Sequence, residues 1–284
     1  MQVSTKLKDT VLAQGGQVVF GAHVKQIQAI TSESQDMITN VVCSDGKTYV
    51  GKIVVSAGCA SKFLRDCAFT QRLPGDVSRF ANTTYRGAYA KAVLVYETTW
   101  WRTAGFSGFV TNTKPSAGRC VAFGYDYTGV ENAFVCFICG DLSAQIGAMP
   151  EEERKKSVLS SMELFFPDHK EALNKVIMYK DEYWQHNEFS GGGPMTVYAP
   201  GFFERYSAMK VLRDGLVLSG ASTPTLLFAG TDVSARWSGY MEGACLRGQE
   251  VALDVLNSLE ALANLKSQPI VDEHTRWNFV AKEG

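Results

Sequence analysis

The 284-residue sequence predicts a mixed α/β (α+β) fold, in which part of a doubly wound sheet is combined with an antiparallel sheet. Three observations predict it. Residues 226–229 form an uninterrupted apolar run that Gly230 stops and a helical repeat follows, the pattern of a strand buried on both faces that feeds a helix. Residues 53–57 run apolar in the same way and end at Gly58. Between about 79 and 188 the runs lengthen, alternate and fill with aromatics, as antiparallel strands do.

Taken in order, residues 4–13 place Leu7, Val11 and Leu12 on one side of a helix with lysines on the other, and Gly15-Gly16 end it. Residues 18–20 and 24–30 read as strands. A hairpin of 37–43 and 48–55 is expected across Ser44-Asp45-Gly46-Lys47, because Asp-Gly is hairpin-turn chemistry. In the aromatic region strands are expected at 89–96, 106–111, 119–125 and 132–138. A helix over 151–166 begins after Pro150, with Leu159, Met162 and Leu164 among its apolar positions, and is expected to cover that sheet. The chain returns as a strand at 176–179 toward Trp184, passes a Ser190-Gly191-Gly192-Gly193-Pro194 loop and a short helical stretch at 201–211, and reaches strand 226–229. The last helix is expected to start after Ser238 as N-cap, with Glu242 in its first turn. Its small or apolar positions 241, 244, 245, 248, 251, 252, 255, 256 and 259 mark the expected buried face.

At 45% hydrophobic residues the chain is able to bury a sizeable core. A net charge of −1 from interspersed signs leaves no basic stripe for nucleic acid and no polybasic patch for anionic lipid. Seven cysteines, odd in number and scattered through apolar runs, read as reduced thiols of a soluble intracellular, cytoplasmic protein. Cys136-Phe-Ile-Cys139 has redox or zinc spacing, but it lies in a strand-like run and no second pair completes a site. His23, His169, His186 and His274 have no metal spacing, and no Ser-His-Asp or paired-carboxylate arrangement stands out. No apolar run approaches the roughly 20 residues of a membrane span, and the tail from 266 to 284 is polar.

A strand that ends in glycine and feeds a helix N-terminus holds anionic or electron-rich ligands, because unpaired N–H groups and the helix dipole converge there. Here that turn reads Ala229-Gly230-Thr231-Asp232, then Arg236-Trp237-Ser238-Gly239-Tyr240-Met241-Glu242-Gly243-Ala244. The run resembles the C-terminal flavin motif of the flavin-dependent monoamine oxidase family, and the likeness extends from about residue 4 to 262. It implies FAD as cofactor, with Gly230, Thr231, Asp232, Gly239, Tyr240 and Met241 at the isoalloxazine edge. Val24 would meet the adenine through its backbone, and the strand ending at Gly58 would rejoin the dinucleotide-binding sheet.

The same resemblance assigns Lys91, at the spacing Gly87-x-x-x-Lys91, to a water at flavin N5, and Trp184 to a place beside the flavin ring. Tyr240 becomes one wall of the substrate site. With Lys91 and Trp184 it makes up the expected catalytic set, while Phe123, Phe137 and Pro194 join it in lining the pocket. Without the resemblance, Lys91 reads as an exposed lysine on an edge strand, and Trp184, Phe123 and Phe137 as core aromatics. After Ser-Gly-Gly, where many relatives carry Cys then Tyr, this sequence has Gly193 then Pro194. That departure implies non-covalent FAD and halves the aromatic cage.

By this likeness, residues 1–78 and 189–265 are parts of an FAD-binding domain, residues 79–188 a substrate domain, and residues 266–284 a polar tail. The Gly-x-Gly-x-x-Gly turn that cradles the pyrophosphate has no counterpart here, which makes a separate N-terminal FAD-binding chain or a second copy the expected partner. The implied activity is oxidation of an amine to an imine and then an aldehyde, with hydride passing from the α-carbon to flavin N5 and oxygen reduced to hydrogen peroxide. Two other readings stand beside it. One is an L-amino acid or cyclic amine oxidase, for which Arg86, Arg102 or Arg236 would take a carboxylate. The other is a non-catalytic fragment or pseudoenzyme that binds a partner.

Overall fold

The structure is a computed structural model and describes residues 2–31, 37–205, 207–218, 221 and 223–263. The expected polar tail, 266–284, lies outside the described residues.

Helix α1 (Gln2–Ala13) ends where Gly15 turns to positive φ, and none of its residues is buried. The expected strand at 18–20 does not form: Val18, Val19 and Phe20 are exposed coil, in no strand pair among the described residues. Strands β1 (Val24–Thr31), β2 (Met37–Cys43) and β3 (Thr48–Gly51) make an antiparallel meander, closed by Gly46 at positive φ and by Lys47 N–H donating to Asp45 Oδ1 at 3.1 Å. The strand expected to run from 48 to 55 breaks after Gly51. Its second part, β4 (Val54–Ser56), pairs elsewhere. Helix α2 (Ala60–Asp66), β5 (Ala68–Phe69) and α3 (Gly75–Thr83) follow, β5 adding in parallel to β1.

Strand β6 (Tyr85–Arg86) leads to β7 (Tyr89–Tyr96), the one-turn helix α4 (Trp100–Thr103), β8 (Phe109–Thr111), β9 (Phe123–Thr128) and β10 (Asn132–Cys139). Helices α5 (Asp141–Gly147), α6 (Glu151–Phe165) and α7 (Lys170–Leu173) precede β11 (Met178–Tyr183). The antiparallel sheet runs β11-β7-β10-β9-β8. Along β7 and β10 every second side chain points to one sheet face, which supplies Ala90, Ala92, Leu94, Phe134, Cys136 and Ile138 to a core closed by Trp101, Val158, Met162 and Phe166, while Val95, Ala133 and Phe137 are buried on the other face. Helix α6 covers this sheet as expected, through Val158 and Met162, whereas Leu164 is exposed. Arg154 on α6 grips Asp181 on β11 with two hydrogen bonds of 2.6 and 2.8 Å. Cys136 and Cys139, three apart on β10, point to opposite faces and share no site.

The stretch expected as one helix over 201–211 is split into α8 (Phe202–Arg205) and α9 (Ala208–Asp214). After β12 (Thr196–Val197), which pairs with β6, and these helices, β13 (Leu226–Phe228) lies parallel to β4 and leads to α10 (Met241–Ala263). A second core gathers Ile27, Leu64, Phe80, Leu212, Leu226 and Phe228 from β1, α2, α3, α9 and β13. Among the described residues no helix is long and apolar enough to cross a membrane, and no group of three metal-ligating side chains occurs.

Helix α10 keeps only part of the burial its periodicity predicts. Of the expected positions 251 is buried and 255 and 259 are half-buried, while 241, 244, 245, 248, 252 and 256 are exposed, and 243, 247 and 258 are buried instead. Arg247 sets the orientation. At 3% exposure it donates from Nε to the Phe228 carbonyl (2.9 Å) and from Nη2 to the Arg213 carbonyl (2.7 Å), and it pairs with Glu250. These bonds dock the arginine-bearing side on β13 and α9, and most of the expected apolar stripe faces outward.

Candidate active site

The site starts where two parallel strands end. Ala229 N–H donates to the Ser56 carbonyl at 2.8 Å, so Gly58 and Gly230 leave β4 and β13 side by side. A Cβ at Gly230 would lie 2.3 Å from the Gly58 carbonyl oxygen, so only glycine lets the turns approach this closely. A Cβ at Gly58 would meet nothing within 4 Å, because that position faces open space. The buried Asp232 locks the pair: its Oδ2 accepts the Ala60 N–H at 2.8 Å, at the start of α2. Burial raises the Asp232 pKa above the usual carboxylate value, against the opposing pull of that amide and of Arg86.

Beyond Asp232 the chain doubles back through Trp237, at φ 54°. Thr231 Oγ1 accepts the Gly239 N–H at 3.0 Å and donates to the Tyr240 carbonyl at 2.8 Å. This side chain, eight residues upstream, fixes the turn before α10. The helix therefore begins at Met241 and not directly after Ser238. Gly243 allows the turn to pack on the helix, since a Cβ there would sit 2.2 Å from the Trp237 carbonyl. Trp237, Tyr240 and Met241 are left 63, 64 and 69% exposed around the N-terminus of a 23-residue helix.

The second wall is the outward face of the antiparallel sheet. Lys91 stands on β7, directly across from Phe137 on β10 and Glu182 on β11. Its Nζ lies 5.5 Å from the Phe137 ring centroid. Phe137 stacks on Phe123 with centroids 4.5 Å apart, and Tyr89 and Tyr125 pack on it at 5.6 and 5.3 Å. Phe123, Phe137 and Lys91 thus share the face opposite the core cluster. Trp184 follows β11 and meets Tyr89 at Gly193.

The loop 190–195 ties the walls together. Gly193 N–H donates to the Gly87 carbonyl at 2.9 Å, and Met195 Cε lies 3.6 Å from a Cβ placed at Gly239. Pro194 therefore sits between the sheet and the α10 turn. Arg86 joins three segments: its guanidinium donates to the Gly192 carbonyl (3.3 Å), Cys59 Sγ (3.5 Å), Thr196 Oγ1 (3.4 Å) and the Pro194 carbonyl (3.5 Å). Sequence reasoning offered Arg86 as a substrate-carboxylate partner, and the structure spends it on the loop instead. Arg102 is likewise engaged, by Asp126 at 2.7 and 2.9 Å, whereas Arg236 is exposed. Tyr89 and Arg86 were not singled out for these positions, since only the tertiary meeting of β6–β7 with loop 190–195 reveals them.

Val24 and Gly58 share a third feature, a cavity of about 400 Å³ lined also by Ile27, Val41, Val54 and Phe63. His23 and Phe189 also line it, ring centroids 4.9 Å apart. A flat, apolar ring with an electron-rich edge toward α10 suits the arrangement. Open space at Gly58, exposed aromatics at Trp237 and Tyr240, and the positive end of a long helix all suit such a group.

Comparison with known proteins gives the family. Residues 4–256 match the family described as flavin containing amine oxidoreductase. A flavin-containing amine oxidase of Oncorhynchus mykiss is 28% identical over 249 residues, which cover 84% of this chain and 44% of that protein. The flavin-containing amine oxidase B of Homo sapiens is 27% identical over 74% of this chain and 38% of its own length. Among solved structures, cyclohexylamine oxidase from Brevibacterium oxydans IH-35A superposes with a TM-score of 0.74 at 24% identity, over 91% of this chain and 52% of that one. The chain thus spans about half the length, or less, of the proteins it matches. With the family matched over nearly the whole chain, we conclude that this protein belongs to the flavin-containing amine oxidoreductases.

Proposed function

We propose that this chain supplies the substrate wall and the isoalloxazine edge of an FAD-dependent amine oxidase. The observation that carries the reading is the meeting of two glycine-ended parallel strands and the α10 N-terminus with a sheet face that bears Lys91. Bound there, the flavin would take a hydride from the amine's α-carbon and return the electrons to oxygen as peroxide. Val24, Gly58, Trp184, Gly230, Thr231, Gly239, Tyr240 and Met241 would hold it, and Asp232 would act by fixing the Gly230 turn against Ala60. Attachment would be non-covalent, because Gly193 has no side chain to form a bond.

Tyr240 would present its exposed ring to a neutral amine, with Pro194, Phe123 and Phe137 bounding the rest of the pocket. Lys91 would hold a water and favour the negative charge that develops during oxygen reduction. In domain terms we read 1–78 and 189–265 as flavin-domain pieces around a substrate domain of 79–188. The two separate cores support two units, but the first cut falls inside α3, whose Phe80 and Ala81, beyond residue 78, pack into the core of the flavin pieces.

The surfaces of this chain also ask for a partner. Helix α1 buries nothing, Phe20 is 82% exposed, and most of the expected apolar stripe of α10 faces outward. We propose that a Gly-x-Gly-x-x-Gly unit, in cis or in trans, covers them and receives the FAD pyrophosphate. The 284-residue chain alone is then expected to be colourless, oxidase-inactive and self-associating, and to bind FAD once that unit is added. A yellow monomer with stoichiometric flavin, purified from this chain alone, refutes the proposal. For the activity itself, the test is anaerobic mixing of the flavin-loaded protein with a panel of primary amines. If none bleaches the flavin and none yields peroxide in air, the amine oxidase reading falls. An amino-acid substrate would rest on Arg236, because Arg86 is engaged by loop 190–194 and Arg102 by Asp126; unchanged substrate binding in Arg236→Ala removes that version.

A further inference from the structure

We propose that Tyr89 is a specificity-determining wall of the substrate site, supplying the aromatic surface that loop 190–194 does not carry. This rests on the amine oxidase reading above. Gly193 and Pro194 offer no aromatic ring where the loop crosses between the sheet and the α10 turn. Tyr89 lies against that gap: a Cβ at Gly193 would be 3.7 Å from Tyr89 Cδ1 and 3.8 Å from Trp184 Cβ, ordinary contact distances.

The ring also belongs to the substrate face. Two residues before Lys91 on β7, Tyr89 shares its side of the sheet and packs on Phe137 at 5.6 Å, and Phe137 continues the row to Phe123 and Tyr125. It is thus the ring that joins loop 190–195 to the aromatic face. Its position is fixed from both sides, by Gln185 Oε1 accepting the Tyr89 N–H at 3.3 Å and by Gly193 held on Gly87. On the other side of Pro194, Met195 abuts Gly239, next to Tyr240. Tyr89 thus contacts the residue before Pro194 and the turn that carries Tyr240 contacts the residue after it, one wall rooted in the sheet and one in the helix turn. Such a wall favours a flat ring on the amine, which gains offset or edge-on stacking that an aliphatic chain does not.

The test uses the flavin-loaded protein and its Tyr89→Leu and Tyr89→Phe variants. The flavin absorption band is titrated with a non-reacting arylalkylamine analogue and with an aliphatic analogue of similar size, and steady-state rates follow for the corresponding substrates. In Tyr89→Leu the aryl analogue and the aryl substrate's KM are expected to weaken about tenfold, with kcat and aliphatic binding within about twofold of wild type. Tyr89→Phe, which keeps the ring, retains wild-type binding of both. Wild-type aryl binding in Tyr89→Leu, or equal loss for both analogues, overturns the inference while leaving the amine oxidase reading intact. A wild-type flavin that no amine reduces overturns that reading and this inference with it.

Discussion

Two glycines at the strand ends separate folding from the proposed cofactor binding, and one methyl group on each is enough to tell them apart. In Gly230→Ala the new Cβ would lie 2.3 Å from the Gly58 carbonyl oxygen and 2.6 Å from Asp232 Oδ1. Carbon and oxygen tolerate roughly 3.3 Å, so the two turns must part by about 1 Å. That movement stretches the Ala229 N–H bond to Ser56, now 2.8 Å, and the Ala60 N–H bond to Asp232, also 2.8 Å, beyond useful length. Losing a neutral bond and a charge-assisted one costs about 3 kcal/mol together, or a fall in Tm of about 6–12 °C for a chain of this size. Gly58→Ala meets nothing within 4 Å, and its backbone is not in the left-handed region, so its melting temperature is expected to stay within about 2 °C of wild type. Its methyl instead projects into the space proposed for the flavin and should weaken FAD binding. The assay is a thermal melt followed by circular dichroism, paired with flavin fluorescence released on heating the loaded protein. Equal melting of Gly230→Ala and wild type, or a large Tm loss in Gly58→Ala, would refute the packing argument.

Three further outcomes are expected. Lys91→Met in the flavin-loaded protein should slow the oxygen half-reaction by about 100-fold while leaving the amine half-reaction within a few-fold, and equal slowing in stopped-flow traces removes the assignment. Arg247→Met should lower stability by about 3 kcal/mol, because the Phe228 and Arg213 carbonyls lose their buried donor; urea unfolding with an unchanged midpoint would contradict the docking described for α10. Asp232→Asn addresses pH. Burial raises the Asp232 pKa in the folded state, so its contribution is fully present below the unfolded value of about 3.9 and is lost as pH rises through the folded value. An asparagine oxygen still accepts the Ala60 N–H, so the variant should gain on wild type as pH rises above about 4, and melts that differ by a constant amount across pH would show the shift is absent.

Local patterns in the sequence determined much of this protein. The alternation along β7 and β10, the Asp45-Gly46 turn and the strand-glycine-helix run around Gly230 fix those elements because each depends on neighbours within a few residues. The motif from Trp237 to Gly243 and the spacing of Gly87 to Lys91 were likewise legible, and they pointed to the family. What only the tertiary structure decided depends on partners far along the chain. Strand 48–55 divides because β13, some 170 residues later, claims Val54–Ser56. The turn before α10 is fixed by Thr231 and not by Ser238 as a local cap, because the hydroxyl reaches both Gly239 and Tyr240. Periodicity identifies an apolar stripe on α10 but not what covers it, and two carbonyls on distant segments turned the helix by capturing Arg247. Arg86 and Tyr89 follow the same rule: nothing in their own neighbourhood of sequence says that Gly192 and Gly193, more than 100 residues away, will come to rest against them.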